Sequence, residues 1–122
     1  MVTGLLARRR AEAEPSAIVS CDNLLDNGPM ARGVVLDLAD AVDYSLRGWI
    51  DENVAWVATM VDRITPRASQ QDQADLTAST SIEDPACVVT EPFYELVLHG
   101  DFLAGRSAWE DAGARFVDDI AP

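Results

Sequence analysis

Two short runs carry residues that could do chemistry. In "VATMVDRITP", Val57 to Pro66, Asp62 and Arg63 sit side by side among Val57, Met60, Val61 and Ile64, which suit a core. An acid and a base inside an apolar segment cost free energy unless they are paired or used. One reading is a structural ion pair or a strand-end pair facing solvent. The other is a carboxylate held at a strand's end inside a cleft. The second run, "SCDN" from Ser20 to Asn23, is a polar cluster that follows the apolar Ile18 and Val19. Open α/β sheets bind ligands outside the carboxyl ends of their strands. Asp and Asn are also ordinary where a strand gives way to a turn. Cys21 reads as a small packed hydrophobe.

Other chemistries find little support. The seven glycines nowhere form G-x-G-x-x-G or a Walker A loop, so no phosphate cradle is visible. His99 is the single histidine, and neither Cys21 nor Cys87 joins it at ligand spacing, so no metal site is expected. His99 reads as a surface residue at a strand end. Two unpatterned cysteines do not make a disulfide scaffold.

The elements that must position these residues follow from pattern. "LLARRRAEAE", Leu5 to Glu14, favours helix, and Pro15 ends it. "SAIVSCDN" reads as a short buried strand, and "DNGP" as a turn in which Asn27 and Gly28 are able to take positive φ. From Met30 to Val42, the residues Met30, Val34, Leu38, Ala41 and Val42 recur on one helical face. Asp43 looks like the N-cap of a second helix, "YSLRGWIDENV", and "AWVATMVDRI" is a second strand stopped by Pro66. "SQQDQADLTAST" is a polar helix or an exposed loop, "ACVVTEPFYELVLHG" holds two strand-like pieces split at Pro92, and a short helix begins near Ser107, weakened by Gly113. Strands separated by helices imply an α/β fold with a parallel sheet.

Composition narrows the class further. With 122 residues, 48% of them apolar, the chain suits one small domain over residues 1–122. It has no apolar run long enough to span a bilayer, and its arginines follow the first apolar stretch, unlike a secretory signal. A cytoplasmic location is the default expectation. The net charge of −12 argues against nucleic acid, which needs a basic face, and against an anionic membrane surface. Every basic residue is arginine; the sequence contains no lysine.

Against this background the first run resembles the signature segment of the long-chain mannitol dehydrogenases. That family includes fructuronate and tagaturonate reductases and arabinitol dehydrogenases. Its pattern ends in Val-Asp-Arg, then Ile or Val, one free position, and Pro or Ser, matched here by Val61 to Pro66. Trp56 departs from the usual Phe or Ser. "VSCDNLLDNG" is similar to the family's Cys-Asp-Asn segment, with Leu25 where Pro is common, and "WIDENVAW" and "VVTEPFYELVL…DFLAGRSAWEDAGARFVDDIAP" also look like family sequence.

The resemblance implies the C-terminal part of a Rossmann-like nucleotide-binding domain, truncated, leading toward a helical substrate domain. It implies hydride transfer between NAD or NADP and a sugar alcohol, a keto sugar or a hexuronate. By the same resemblance Asn23 holds the oxygen on which charge develops, Asp62 sits by the reacting hydroxyl, and the backbone around Met60 and Val61 lies near the nicotinamide. Arg63 would be the ion-pair or structural companion of Asp62. The family's general base is a lysine in a Lys-x-x-x-x-Asn-x-x-His segment, and its Gly-rich turn lies in the N-terminal part. Neither is in these 122 residues, so both ends read as cuts and the chain alone is expected to be inactive. Such a cut would leave a sheet edge or an apolar face exposed, with Val34, Val57 and Val89 as candidates and self-association as the consequence. A stand-alone acidic interaction module or non-functional remnant, and a split enzyme completed by other chains, are the competing readings.

Overall fold

The computed structural model describes residues 1–63 and 65–120, with the side chains of Val61 and Asp62 left aside. The chain forms two compact units, Met1–Val61 with Leu96–Pro122, and Asp62–Glu95. The elements are α1 (Val2–Arg10), β1 (Ser16–Val19), α2 (Asn27–Val42), α3 (Leu46–Asn53), β2 (Val54–Asp62), α4 (Gln70–Thr80), β3 (Glu95–His99), a 3₁₀ turn (Trp109–Ala112) and β4 (Arg115–Phe116). The strands lie in the order β1-β2-β3-β4. β1 runs parallel to β2 with Ser16 opposite Val54 and Val19 opposite Val57, and β3 runs parallel to β4 with Leu98 opposite Phe116. The expected α/β class with a parallel sheet is what the chain adopts.

Strand alternation sorts the first unit's core into two faces. Ile18, Val54 and Trp56 meet the helices, where Val2 and Leu5 of α1, Val35, Leu36 and Ala39 of α2, and Leu46 and Ile50 of α3 pack together. Ala17, Val19 and Val57 face the other way, onto Leu98, Ala114 and the rings of Phe102, Trp109 and Phe116. Phe102 meets Trp109 edge-on, with centroids 5.4 Å apart. This aromatic cover corrects the expectation for Val57, which is fully buried rather than exposed, and Val89 is half-buried. Val34 is exposed as expected.

Several boundaries differ from the sequence reading. α1 starts three residues earlier, at Val2, and ends at Arg10, because Glu12 turns into the left-handed region (φ 47°) well before Pro15. It buries Val2 and Leu5 with α2 and α3. Asp43 does not cap α3; Ser45 occupies the N-cap, and the Asp43 carboxylate accepts from the Ser45 N–H at 2.9 Å. The polar run became helix α4 because Ser69 and Asp72 form a reciprocal capping box, although the helix buries no residue. "ACVVT" forms no strand: Pro85 and Pro92 bracket it, and among the described residues no neighbouring strand pairs with it. Near Ser107 only a 3₁₀ turn forms, ended by Gly113 at φ 93°.

The turn at the end of the first unit yields a pH prediction. Arg106 donates to both carboxylate oxygens of Glu110, at 2.7 and 2.6 Å, and its guanidinium carbon lies 3.5 Å from the centre of the Phe116 ring. The bidentate Arg106 bond lowers the Glu110 carboxyl from its ordinary 4.5 to about 2. A carboxylate whose folded pKa is depressed adds stability above its unfolded pKa and loses it as pH falls through the folded one. Stability should therefore decline from about pH 4.5 toward 2. Glu110→Gln should flatten that decline, read as thermal midpoints by circular dichroism across this range. An unchanged slope would mean that this solvent-exposed pair contributes nothing in solution.

Candidate functional site

β1 ends at Val19, and the chain leaves the sheet as a loop of residues 20–26, exposed from Cys21 onward, before α2 begins. Within the loop the Asp22 carboxylate accepts from the Leu24 N–H at 2.9 Å, a local turn that lifts Asn23 into solvent. Because β1 and β2 are parallel, their carboxyl ends reach the same edge. There Asn23, with Asp22, Leu24, Leu25 and Asp26, lines a cleft closed on the other side by Thr59, Met60 and Ile120. The cleft holds about 50 Å³, room for a water or two. It is a wall at the sheet edge, too small by itself to hold a sugar.

What fixes this wall is a residue that sequence reasoning assigned to a turn. Asn27 is 2% exposed and Thr59 5%. The Asn27 amide donates to the Thr59 carbonyl at 2.9 Å and to the Asp22 carbonyl at 3.0 Å, while its oxygen accepts the Thr59 N–H at 3.0 Å. The Thr59 hydroxyl donates to the Ser20 carbonyl. Asn27 and Gly28 are helical, and the positive φ expected there falls on Asp26 instead, at 53°. Gly28 is pressed onto β2: a Cβ there would lie 2.7 Å from the Ala58 nitrogen. The Asn-Gly pair therefore marks a close approach of helix to strand, a role that glycine also signals in sequence.

Of the other expected residues, Met60 is half-buried in the cleft wall, and Val61 and Asp62 end β2, with their side chains outside the described residues. The expected convergence of the Asp62 side chain with Asn23 likewise lies outside them. Arg63, described within the second unit, donates to the Glu91 carbonyl at 3.4 Å and stands 5.5 Å from the centre of the Tyr94 ring. Cys21 is exposed in the loop instead of packed. His99 is at a strand end, as read, but half-buried rather than on the surface, with Nδ1 3.2 Å from the Val117 carbonyl oxygen. Among the described residues no three His, Cys, Asp or Glu side chains gather around a common point, and no described helix is long and apolar enough to cross a membrane.

These residues fit one part of a dinucleotide better than another. The loop leading into α2 carries Asp22 and Asp26, with neither a glycine nor a cation, so it does not suit a pyrophosphate. The half-buried Met60 instead suits a flat ring, and the uncharged Asn23 carboxamide can donate to a neutral oxygen.

A parallel α/β sheet with helices against one face, and a polar loop at its carboxyl edge, has the features of a Rossmann-type nucleotide-binding domain. The family model for the mannitol dehydrogenase Rossmann domain matches residues 1–111. The uncharacterized oxidoreductase YdfI of Escherichia coli (strain K12) is 43% identical over 123 aligned positions, which cover 100% of this chain and 25% of the relative. D-mannonate oxidoreductase of the same strain is 38% identical over 100% of this chain and 25% of its own length. The structure of Pseudomonas fluorescens mannitol 2-dehydrogenase in ternary complex with NAD and D-mannitol superposes with a TM-score of 0.86, at 39% identity, over 98% of this chain and 24% of that one. The chain belongs to the mannitol dehydrogenase family. It spans about a quarter of the length of the relatives it matches.

Proposed function

We propose that this chain is a segment of an NAD(P)-dependent oxidoreductase that moves hydride between a nicotinamide and a sugar alcohol, or a keto sugar or hexuronate in the reverse direction. The observation that carries the reading is the cleft joining Asn23 to Met60 at the common carboxyl edge of β1 and β2. The nicotinamide, when bound, supplies the hydride acceptor. Asn23 donates an N–H to the substrate oxygen as its proton leaves. A neutral amide does this at any pH, and it matters more because Asp22 and Asp26 beside it would oppose a growing negative charge. Asp62 stands by the reacting hydroxyl, and the backbone at Met60 and Val61 walls the ring. The proton acceptor comes from outside these 122 residues, which contain no lysine. The apolar Met30, Val34, Leu38 and Val42, exposed along α2, favour self-association of the segment by itself.

The test has two arms. The 122-residue chain alone should show no NADH formation or consumption with mannitol, arabinitol or fructuronate. Residues 1–120 in place of the matching segment of the Pseudomonas fluorescens enzyme should give a chimera that oxidises a polyol or reduces a keto sugar. Turnover by the chain alone would end the claim that outside groups are required. A folded, cofactor-binding chimera with no turnover on any of these substrates would end the functional reading.

A further inference from the structure

The geometry points to Asn27 as a positioning residue: its carboxamide stands in for β1 against Thr59 and so holds the loop that carries Asn23 beside Met60. This rests on the functional reading above. In the parallel ladder the Ser20 N–H still reaches the Val57 carbonyl at 3.1 Å. The next bond of such a ladder would run from the Thr59 N–H to the Ser20 carbonyl. Here the chain has already turned away. The Asn27 oxygen takes the Thr59 N–H, its amide serves the Thr59 carbonyl, and the Thr59 hydroxyl serves the Ser20 carbonyl. One buried carboxamide thus replaces a strand's donor and acceptor at the last paired position before Met60. Its second N–H reaches the Asp22 carbonyl, one residue before Asn23.

The substitution of a side chain for a strand has a consequence for the site. Had β1 continued, residues 20–23 would lie in the sheet and could not form a wall above it. With Asn27 as the partner, Thr59 stays satisfied while the loop is free to rise, and the loop and strand share one anchor. Gly28 makes this possible, since any side chain there would push α2, and Asn27 with it, away from Ala58.

Hydrogen exchange on the unaltered chain, followed by NMR, tests the clamp directly. The Asn27 side-chain protons and the Thr59 amide should exchange together, through one opening event, and more slowly than the side-chain protons of Asn23. Independent or equally fast exchange would overturn the proposal. Asn27→Asp keeps the size and the acceptor for Thr59 N–H but removes both donors. In the chain it should shift resonances of residues 20–27 and 58–60 while those of 97–98 and 115–117 hold. In the active chimera it should lower kcat by about 10²-fold, the scale of a misplacement near 1 Å, with KM nearly unchanged and kcat counted per cofactor-binding site. A merely structural Asn27 would lower the number of binding sites and leave kcat per site intact, which would also overturn the proposal. An inactive parent chimera would sink the functional reading alone, and the exchange result would then decide the clamp.

Discussion

Asn23→Ala, introduced into the active chimera, is expected to lower kcat by about 10²–10³-fold, on the order of 3 kcal/mol, with a small change in KM. The side chain is exposed on the loop, so its removal leaves no cavity and should not move the melting temperature. What it removes is one preorganised donor toward an oxygen that becomes charged only as the reaction proceeds. Such an interaction is stronger in the transition state than in the ground state, which places the loss in kcat. Asn23→Asp sharpens the test. It has nearly the same shape but offers only acceptors when ionised, and it would add a third carboxylate beside Asp22 and Asp26. It should therefore be at least as slow as the alanine variant. An Asn23→Ala enzyme with unchanged kcat would show that the oxygen is held from elsewhere.

The second large effect concerns two glycines of the same helix, expected to respond with opposite signs. Gly28→Ala places a Cβ 2.7 Å from the Ala58 nitrogen and 2.9 Å from the Val57 carbonyl carbon. Both are backbone atoms of β2 and cannot swing aside as a flexible side chain would. Overpacking of this kind costs about 1–3 kcal/mol or more. Alanine's helix advantage of up to about 1 kcal/mol is a property of helix interiors. Gly28 lies in the first turn of α2, where little of it applies. A net loss of about 2 kcal/mol follows, felt also at Asn27 and hence at the loop. Gly33, mid-helix and exposed, has no atom within 4 Å of a would-be Cβ. Gly33→Ala should stabilise by about 0.5–1 kcal/mol. Urea denaturation of both variants reads the contrast. Equal effects, in either direction, would mean that α2 does not press on β2 as described.

The fold class and the sheet edge that carries the candidate residues were legible in the sequence because both rest on local signals. Helix-period and strand-like runs alternate along the chain, and that alternation by itself implies a parallel sheet with its strand ends on one edge. The Cys-Asp-Asn and Val-Asp-Arg runs marked those ends, and the structure brings Asn23 and Met60 to one cleft there. Which surfaces are covered was not legible. On α2 the regular stripe of Met30, Val34, Leu38 and Val42 is the exposed one, and Val35, Leu36 and Ala39 form the buried face. Both faces are apolar, so periodicity reports that a face exists and leaves open what lies against it. Val57 is buried by Phe102, Trp109 and Phe116, aromatics 45 or more positions further along (102 − 57), and no local pattern announces that cover. Asn27 is the sharpest instance. Its composition and its glycine neighbour are those of a turn, and the partner that makes it a buried clamp, Thr59, lies 32 residues away. Hydrogen bonds across that separation exist only once the sheet has formed.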